Sequence, residues 1–408
     1  MPLQTISVIG LGYIGLPTAT VFAAEGFQVS GFDKNTKVIR ALKTGQIHIK
    51  EPDLQGLYKT VFENGALRIS DELEKADIYI VCVPTPFQRQ QSKKTADLSY
   101  VIEAAKMIAA IIERGNIVIL ESTVPPRTTE EVFGRTIEES SGLRKGSDFY
   151  LAHCPERVLP GKILYELKNN HRIIGATDEL SAEKVKRLYA SIVKGGEIYT
   201  TNTTTAEMCK LVENAFRDIG IAFANELSIL CDELEIDVWD LIRLANKHPR
   251  VSILSPGAGV GGHCIAVDPW FIIEAFPKNS LLIRQAREVN DQKPLRIVEK
   301  VEKELKKKFP GREKQVLFGI LGLAYKPDID DLRESPAIEI ANQLVERGYR
   351  VVACEPNRST PEIQGIKNLS LQEILDQADS VITTMGHQEF KNEKESIKKK
   401  ELFEIVRL

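Results

Sequence analysis

Residues 9–17 read IGLGYIGLP, and this stretch limits what the chain can become more than any other. Ile6 to Ile9 is a short apolar run suited to a buried strand. Gly10, Gly12 and Gly15 follow, then an apolar helical pattern through Ala24. A second strand-like run, Gln28 to Phe32, ends at Asp33. A glycine triplet alone is weak, but strand, GxGxxG, helix and a trailing acid together carry a mechanism. Gly10 permits a tight turn, Gly12 lets the backbone approach a pyrophosphate, and Gly15 lets helix and strand pack closely. The helix N-terminus offers unpaired N–H groups to phosphates. Asp33 is expected on the adenosine ribose hydroxyls and would repel a 2′-phosphate, so the expected cofactor is NAD rather than NADP.

The β/α pattern continues. ADIYIVCVPTP (76–86), GNIVILESTVPP (115–126) and DFYLAHCPERVLPG (148–161) each read as a strand running into a turn. Ligands gather beyond the carboxyl ends of parallel strands, and Thr85, Ser122, Thr123 and Glu156 all fall there. Ser122 and Thr123 also suit a plain turn cap. Glu156 has little structural purpose between a strand end and RVLPG.

A proline-free stretch follows from about 204 to 234 and predicts one long helix. Met208, Leu211, Ala215, Ile219, Ala222 and Leu230 keep helical spacing on one side, and Lys210, Asn214 and Arg217 share another face. That polar face mixes Lys, Asn and Arg among small and apolar residues, unlike an ordinary solvated stripe. Strand signals resume after the lysine-rich segment 300–314, whose lysines read as a solvated face. This later part lacks a full GxGxxG, so no dinucleotide is assigned to it. Lys326 and Arg333 lie in the loop after its first strand, placed to reach phosphates. Ser335 reads as an N-cap with Pro336 at the first helical position. The expected fold class is α/β: two Rossmann-like doubly wound domains joined by a helical central domain with a long connecting helix. The expected boundaries are 1–200, 201–302 and 303–408.

At 408 residues more than one domain is expected. The net charge of −3 gives no reason to expect nucleic acid or an anionic membrane as partner. No apolar run is long enough to span a bilayer and the start lacks a signal-peptide pattern, so a cytoplasmic protein is expected. The six cysteines show no CxxC spacing and the histidines no HExxH, so neither a disulfide frame nor a metal is expected. One cysteine stands apart. Cys264 lies in GAGVGGHCIAVDP (257–269), behind four glycines and four residues before Asp268. A structural thiol prefers a packed element, whereas a reactive one needs an exposed place and a charged neighbour.

Taken together, GLGYIGLP, VPTP, ESTV, CPERVLPG, TAEMCKLVENAFRD, GVGGHCIAVDP and GLAYKPDIDDLRESPA resemble the nucleotide-sugar 6-dehydrogenases, the family that includes UDP-glucose and GDP-mannose dehydrogenases. The resemblance implies oxidation of a sugar C6 hydroxyl to a carboxylate, with two NAD reduced and one water consumed, supplying uronic acids for surface polysaccharide. Cys264 would form a thiohemiacetal and then a thioester. Lys210 would stabilise oxyanion charge, Asn214 would hold water and substrate oxygen, and Asp268 would assist proton transfer. Thr123 and Glu156 would bind the catalytic water and the reacting end of the sugar.

By the same resemblance Tyr13 and Ile14 join the glycines in holding NAD, with Thr85, Ser122, Thr123 and Arg333. Arg157, Val158, Arg217, His248, Gly261 and Lys326 would line the UDP-sugar site, and Arg250 would reach the site of a neighbouring subunit in a homodimer. The glycines around Cys264 would leave room for sugar and nicotinamide. CPERVLPG, NKHPRV and GGHCIAVDPWF favour UDP-N-acetylmannosamine as substrate, with UDP-N-acetylglucosamine or UDP-glucose as alternatives. A two-electron hydroxyacid dehydrogenase shares the N-terminal pattern but needs no cysteine. GHQEF replaces a more usual DHxxF, and the ending KNEKESIKKKELFEIVRL leads to the expectation that the last element of the third domain is incomplete.

Overall fold

Short apolar runs separated by helical patterns demand parallel strands with helices covering both faces. The computed structural model describes residues 4–88 and 94–408. The chain divides into two compact units, Met1–Val212 with Trp270–Ala275, and Glu213–Pro269 with Phe276–Leu408.

The first unit is built on eight strands: β1 (Thr5–Ile9), β2 (Gln28–Phe32), β3 (Leu67–Ser70), β4 (Ile78–Val81), β5 (Ile117–Leu120), β6 (Tyr150–His153), β7 (Arg172–Ala176) and β8 (Ile198–Asn202). Their order is β3-β2-β1-β4-β5-β6-β7-β8, so the winding reverses between β1 and β4. Alternate residues serve opposite faces. Ile78 and Ile80 enter one apolar core with Ile6 and Val8, while Tyr79 and Val81 enter another with Val118 and Leu120. The sheet departs from an all-parallel arrangement at one seam. β7 runs antiparallel to β6, with Ala152 opposite Ala176 and His153 opposite Gly175. The chain therefore re-enters the sheet at the end where β6 leaves it.

The second unit carries six strands: β9 (Leu317–Leu321), β10 (Arg350–Cys354), β11 (Glu362–Ile363), β12 (Ile366–Asn368), β13 (Ser380–Thr383) and β14 (Glu401–Glu404), in the order β11-β12-β10-β9-β13-β14. Phe318, Ile320, Ala353 and Ile382 pack on one face and Leu321, Cys354 and Val381 on the other. The ELFE segment near the C-terminus forms β14, parallel to β13. Ser335 is the N-cap residue of the helix Pro336–Glu346, but its hydroxyl donates to the Leu323 carbonyl at 2.6 Å rather than capping. The fold class is α/β, with two Rossmann-like sheets and a helical central region containing a long helix.

That long helix runs Thr203–Leu234. Its inner side differs from the apolar row expected of it. Leu211, Ala215 and Ala222 are buried, yet Leu230 is 47% exposed, and the polar Asp218, Asn225 and Ser228 are buried instead. Their partners lie on the helix Leu281–Lys308. Arg287 donates to Asp218 at 2.6 Å, Asn290 to Asp218 at 2.8 Å, and Asn225 to Asn290 at 2.8 Å, while the Lys293 ammonium bonds the Ser228 hydroxyl. Burial pushes Asp218 up to about 6 against the pull of Arg287. A buried ion broken on one side leaves an uncompensated charge. Arg287→Ala is therefore expected to cost the second unit about 3–5 kcal/mol, measurable as a lower urea midpoint.

Candidate functional site

The glycine turn of the first unit is built as its spacing demands. Gly10 adopts φ +89°. A Cβ on it would lie 2.6 Å from the Cys82 carbonyl oxygen, and one on Gly15 only 1.8 Å from the Gly10 oxygen. A Cβ on Gly12 would meet open space. This is the surface along which a pyrophosphate would lie, so the turn fits NAD. Asp33 accepts from the Leu11 N–H at 2.8 Å and from the Asn35 N–H at 2.8 Å, which fixes its carboxylate beyond β2. Tyr13 is exposed, Ile14 half-buried, and Gly15 opens the helix Gly15–Ala24.

The loops after β4 and β5 are tied together. Thr85 donates to the Thr123 carbonyl at 2.6 Å, and Ser122 to the Val83 carbonyl at 2.7 Å. The Ser122 hydroxyl thus serves the turn, and the next residue, Thr123, is half-buried. Past Thr123, Glu207 on the long helix accepts from the Arg127 N–H at 2.5 Å and the Thr129 N–H at 2.7 Å, and burial pushes it up to about 7. Lys210, half-buried, follows Glu207 by one turn.

Glu156 lies just beyond β6 and is 8% exposed. Its Oε2 accepts from Arg172 at 2.6 Å and its Oε1 from the Arg157 N–H at 2.7 Å. The loop that carries it is held by Glu51, which accepts from Gly161 and Ile163 N–H groups at 2.7 Å each. Arg157 donates to the His171 carbonyl, and Val158 is half-buried.

In the second unit Cys264 is exposed, one turn before the helix Asp268–Ala275. Its carbonyl accepts from Val267 at 3.0 Å and Asp268 at 2.8 Å. Asp268 is buried, and Asn214 donates to it at 2.6 Å. The glycine run has a definite reason for its composition. A Cβ on Gly261 would fall 2.4 Å from the Glu334 oxygen, and one on Gly262, at φ +84°, 2.7 Å from the Tyr325 ring. The room expected beside the thiol is therefore taken up, at these two positions, by Tyr325 and the loop around it. Gly262 also donates to the Arg333 carbonyl at 3.0 Å. Burial, with the charges of Asp331 and Cys264 nearby, pushes Tyr325 up to about 12. Arg287 donates to the Ile265 carbonyl at 3.3 Å and Gly257 to Asn225 at 2.9 Å, so the run is anchored at both ends.

Lys326 is half-buried in the loop after β9, and Arg333 is exposed with its guanidinium on Asp331. Arg217, His248 and Arg250 are exposed, the His248 ring accepting from the Arg250 N–H at 3.3 Å. Of the residues expected in the site, the first unit holds the glycine turn, Thr85, Ser122, Thr123, Glu156 and Lys210. Asn214, Cys264, Asp268, Lys326 and Arg333 belong to the second. Arg172, Glu51, Glu207, Tyr325 and Arg287 were not anticipated. Among the described residues no His, Cys, Asp and Glu group could hold a metal, and no helix is long and apolar enough to cross a membrane.

A doubly wound domain with an acid-tipped glycine turn, followed in the same chain by a second Rossmann-like sheet without such a turn, defines a dinucleotide-binding α/β protein. The comparisons narrow this. Residues 4–193 match the NAD binding domain, 204–292 the central domain and 319–406 the UDP binding domain of the UDP-glucose/GDP-mannose dehydrogenase family. The chain belongs to that family, and its cofactor is NAD. It is 48% identical over 397 residues to a UDP-N-acetyl-D-mannosamine dehydrogenase of Campylobacter jejuni, covering 94% of this chain and 96% of that one. It is 47% identical to an NDP-N-acetyl-D-galactosaminuronic acid dehydrogenase of Ralstonia nicotianae, covering 95% and 92%. A solved UDP-D-ManNAc dehydrogenase of Pyrococcus horikoshii superposes with a TM-score of 0.89 at 40% identity, covering 98% and 93%.

Because the Gly15 Cβ would overlap backbone rather than a flexible side chain, Gly15→Ala is expected to destabilise the first unit by about 2–3 kcal/mol. It should also abolish saturable NAD binding, checked by quenching of protein fluorescence.

Proposed function

We propose that this protein carries out the NAD-dependent, four-electron oxidation of the C6 hydroxyl of UDP-N-acetyl-D-mannosamine to the uronate, through a thiohemiacetal and a thioester on Cys264. The observation that carries this reading is the exposed thiol on an anchored glycine run, ahead of a buried Asp268 that is bonded to Asn214. A plain fold support would not expose a cysteine there.

NAD, when bound, supplies the hydride acceptor for both oxidations. Asp33 and the glycine turn hold its adenosine and pyrophosphate, with Thr85, Ser122, Thr123 and Arg333 completing its site. Loss of the hydroxyl proton and the first hydride leaves an aldehyde, to which the Cys264 thiol adds to give the thiohemiacetal. Loss of the thiohemiacetal's hydroxyl proton and a second hydride leaves the thioester. Water then adds to its carbonyl, the C–S bond breaks, and Cys264 departs as thiolate. A thiol suits these steps, because even a small thiolate fraction near neutral pH is strongly nucleophilic. Lys210 stabilises the oxygen that gains negative charge, and Asn214 orients it. Glu156 takes the proton of the attacking water, Thr123 holds that water, and Asp268 assists proton transfer. Arg157, Val158, Arg217, His248, Gly261 and Lys326 line the UDP-sugar site.

The proposed domains are 1–200 for NAD, 201–302 for the helical centre and 303–408 for the UDP-sugar. A homodimer is part of this reading. On the long helix Phe216, Phe223 and Leu230 recur every seven residues and are 81%, 52% and 47% exposed, the spacing of a helix-pairing seam. Arg250 would then reach the neighbouring subunit's site. The Ralstonia relative's name supports a second reading, the same chemistry on an N-acetylgalactosamine-derived nucleotide sugar.

Counting NADH per sugar tests the reaction. Two equivalents with UDP-N-acetylmannosamine support the proposal, and one equivalent would assign the chain to two-electron chemistry. Side-by-side assays with the galacto, gluco and manno nucleotide sugars separate the substrate readings. Cys264→Ser is expected to abolish steady turnover with NAD binding intact, while Lys210→Ala should lower kcat by about 10²–10³-fold with a modest change in KM. Phe216→Glu with Phe223→Glu should shift the protein to a monomer in sedimentation velocity.

A further inference from the structure

In the sheet of the first unit the parallel pattern breaks between β6 and β7, and the first residue of β7 is Arg172. Continuing the β6–β7 register outward from His153 opposite Gly175 brings residue 156 opposite residue 172. The reversal thus delivers a guanidinium to the position beside Glu156, which an all-parallel strand would place at the far end of the sheet. The Arg172 side chain is 5% exposed. One nitrogen donates to Glu156 Oε2 at 2.6 Å. The other lies 3.4 Å from Glu121 Oε1 and 3.6 Å from the Cys154 sulfur, and the guanidinium stacks on the Tyr189 ring at 4.6 Å.

Glu121 is itself surrounded. Tyr189 donates to Oε1, and Cys82 and Thr18 approach Oε2 at 3.2 Å and 3.4 Å. All four of its partners can donate, an arrangement suited to a carboxylate acceptor. Burial pushes the Glu121 carboxyl up, against the pull of Arg172, Tyr189 and Cys82. Burial works against the charge on Arg172, but the two carboxylates hold its proton more firmly than usual. Burial pushes the thiols of Cys82 and Cys154 up, so they stay neutral here. One buried cation therefore stands between a fully engaged glutamate and Glu156, which lines a small polar cleft with Arg157, Glu166 and His171.

We propose that Arg172, anchored by Glu121 and Tyr189, is the positioning residue for the Glu156 carboxylate in the hydrolytic half of the reaction. This rests on the reading that Glu156 takes the water's proton as the thioester is cleaved. A fork held on two carboxylates fixes the rotation of Glu156, which a single flexible ammonium cannot do. In hydrolysis the water oxygen bonds the acyl carbon, the sulfur leaves with the C–S electrons, and the proton passes to Glu156. In this reading the hydride transfers do not use that carboxylate as a base.

The test is Arg172→Lys, followed by rapid mixing with NAD and UDP-sugar. The expected result is a full burst of two NADH per site, kcat about 10²-fold lower, little change in KM, and acid-quenched protein carrying the acyl mass on Cys264. In a Glu156→Gln background the same change should cost little more, because the two residues act as one unit. Glu121→Gln keeps the fork and weakens its anchor, so it should slow hydrolysis in the same direction by less, and it serves as the reporter if the lysine variant does not fold. Unchanged kcat in both variants overturns the proposal. So does loss of the burst together with turnover, or full additivity with Glu156→Gln. The underlying reading fails separately: wild-type enzyme would then release one NADH per sugar or never carry an acyl group.

Discussion

The buried pair between Asp218 and Arg287 holds the centre of the second unit together. Neither residue has meaningful contact with water, and an isolated charge in that position would be heavily penalised. The pair does more than join two helices. Arg287 also reaches the Ile265 carbonyl, next to Cys264, while Asn225, in the same polar row, holds Gly257. A glycine-rich run would otherwise be the most mobile part of the chain. Here its two ends are bonded to a rigid helix pair, and Tyr325 covers its middle. The exposed sulfur is thus presented on a segment that is flexible in composition and constrained in place.

The first unit solves a related problem with the opposite sign. Glu156 lies just past a strand end, where backbone alone gives little control over a side chain. Arg172 supplies the control, and Glu121 holds Arg172. Both units therefore use a buried arginine paired with acids to hold a loop in place. Such networks contribute little net stability compared with apolar packing, and their value lies in fixing geometry.

Much of this was legible along the chain. The glycine turn, Asp33, the strand and helix sequence and the long central helix follow from local pattern, because each depends on neighbours within a few residues. The errors share one cause. Helical spacing puts Leu230 on the inner row, yet it is exposed, and Asp218, Asn225 and Ser228, which no spacing argument puts there, are buried instead, since such spacing ranks residues by polarity alone. Their burial is tolerable only because Arg287, Asn290 and Lys293 meet them from a helix about seventy residues further on. The reason for Gly261 and Gly262 was equally remote, lying in Tyr325 and Glu334.

By itself the sequence determined the α/β class, the NAD turn and the presence of a lone cysteine in a bendable run, all set by steric and hydrogen-bonding rules that act locally. Only the tertiary structure decided that β7 turns against β6, which brings Arg172 to Glu156, and that two helices bury a charge pair which anchors the thiol-bearing run. Strand direction and charge pairing depend on contacts between distant segments, and their free energies exist only once those segments have met.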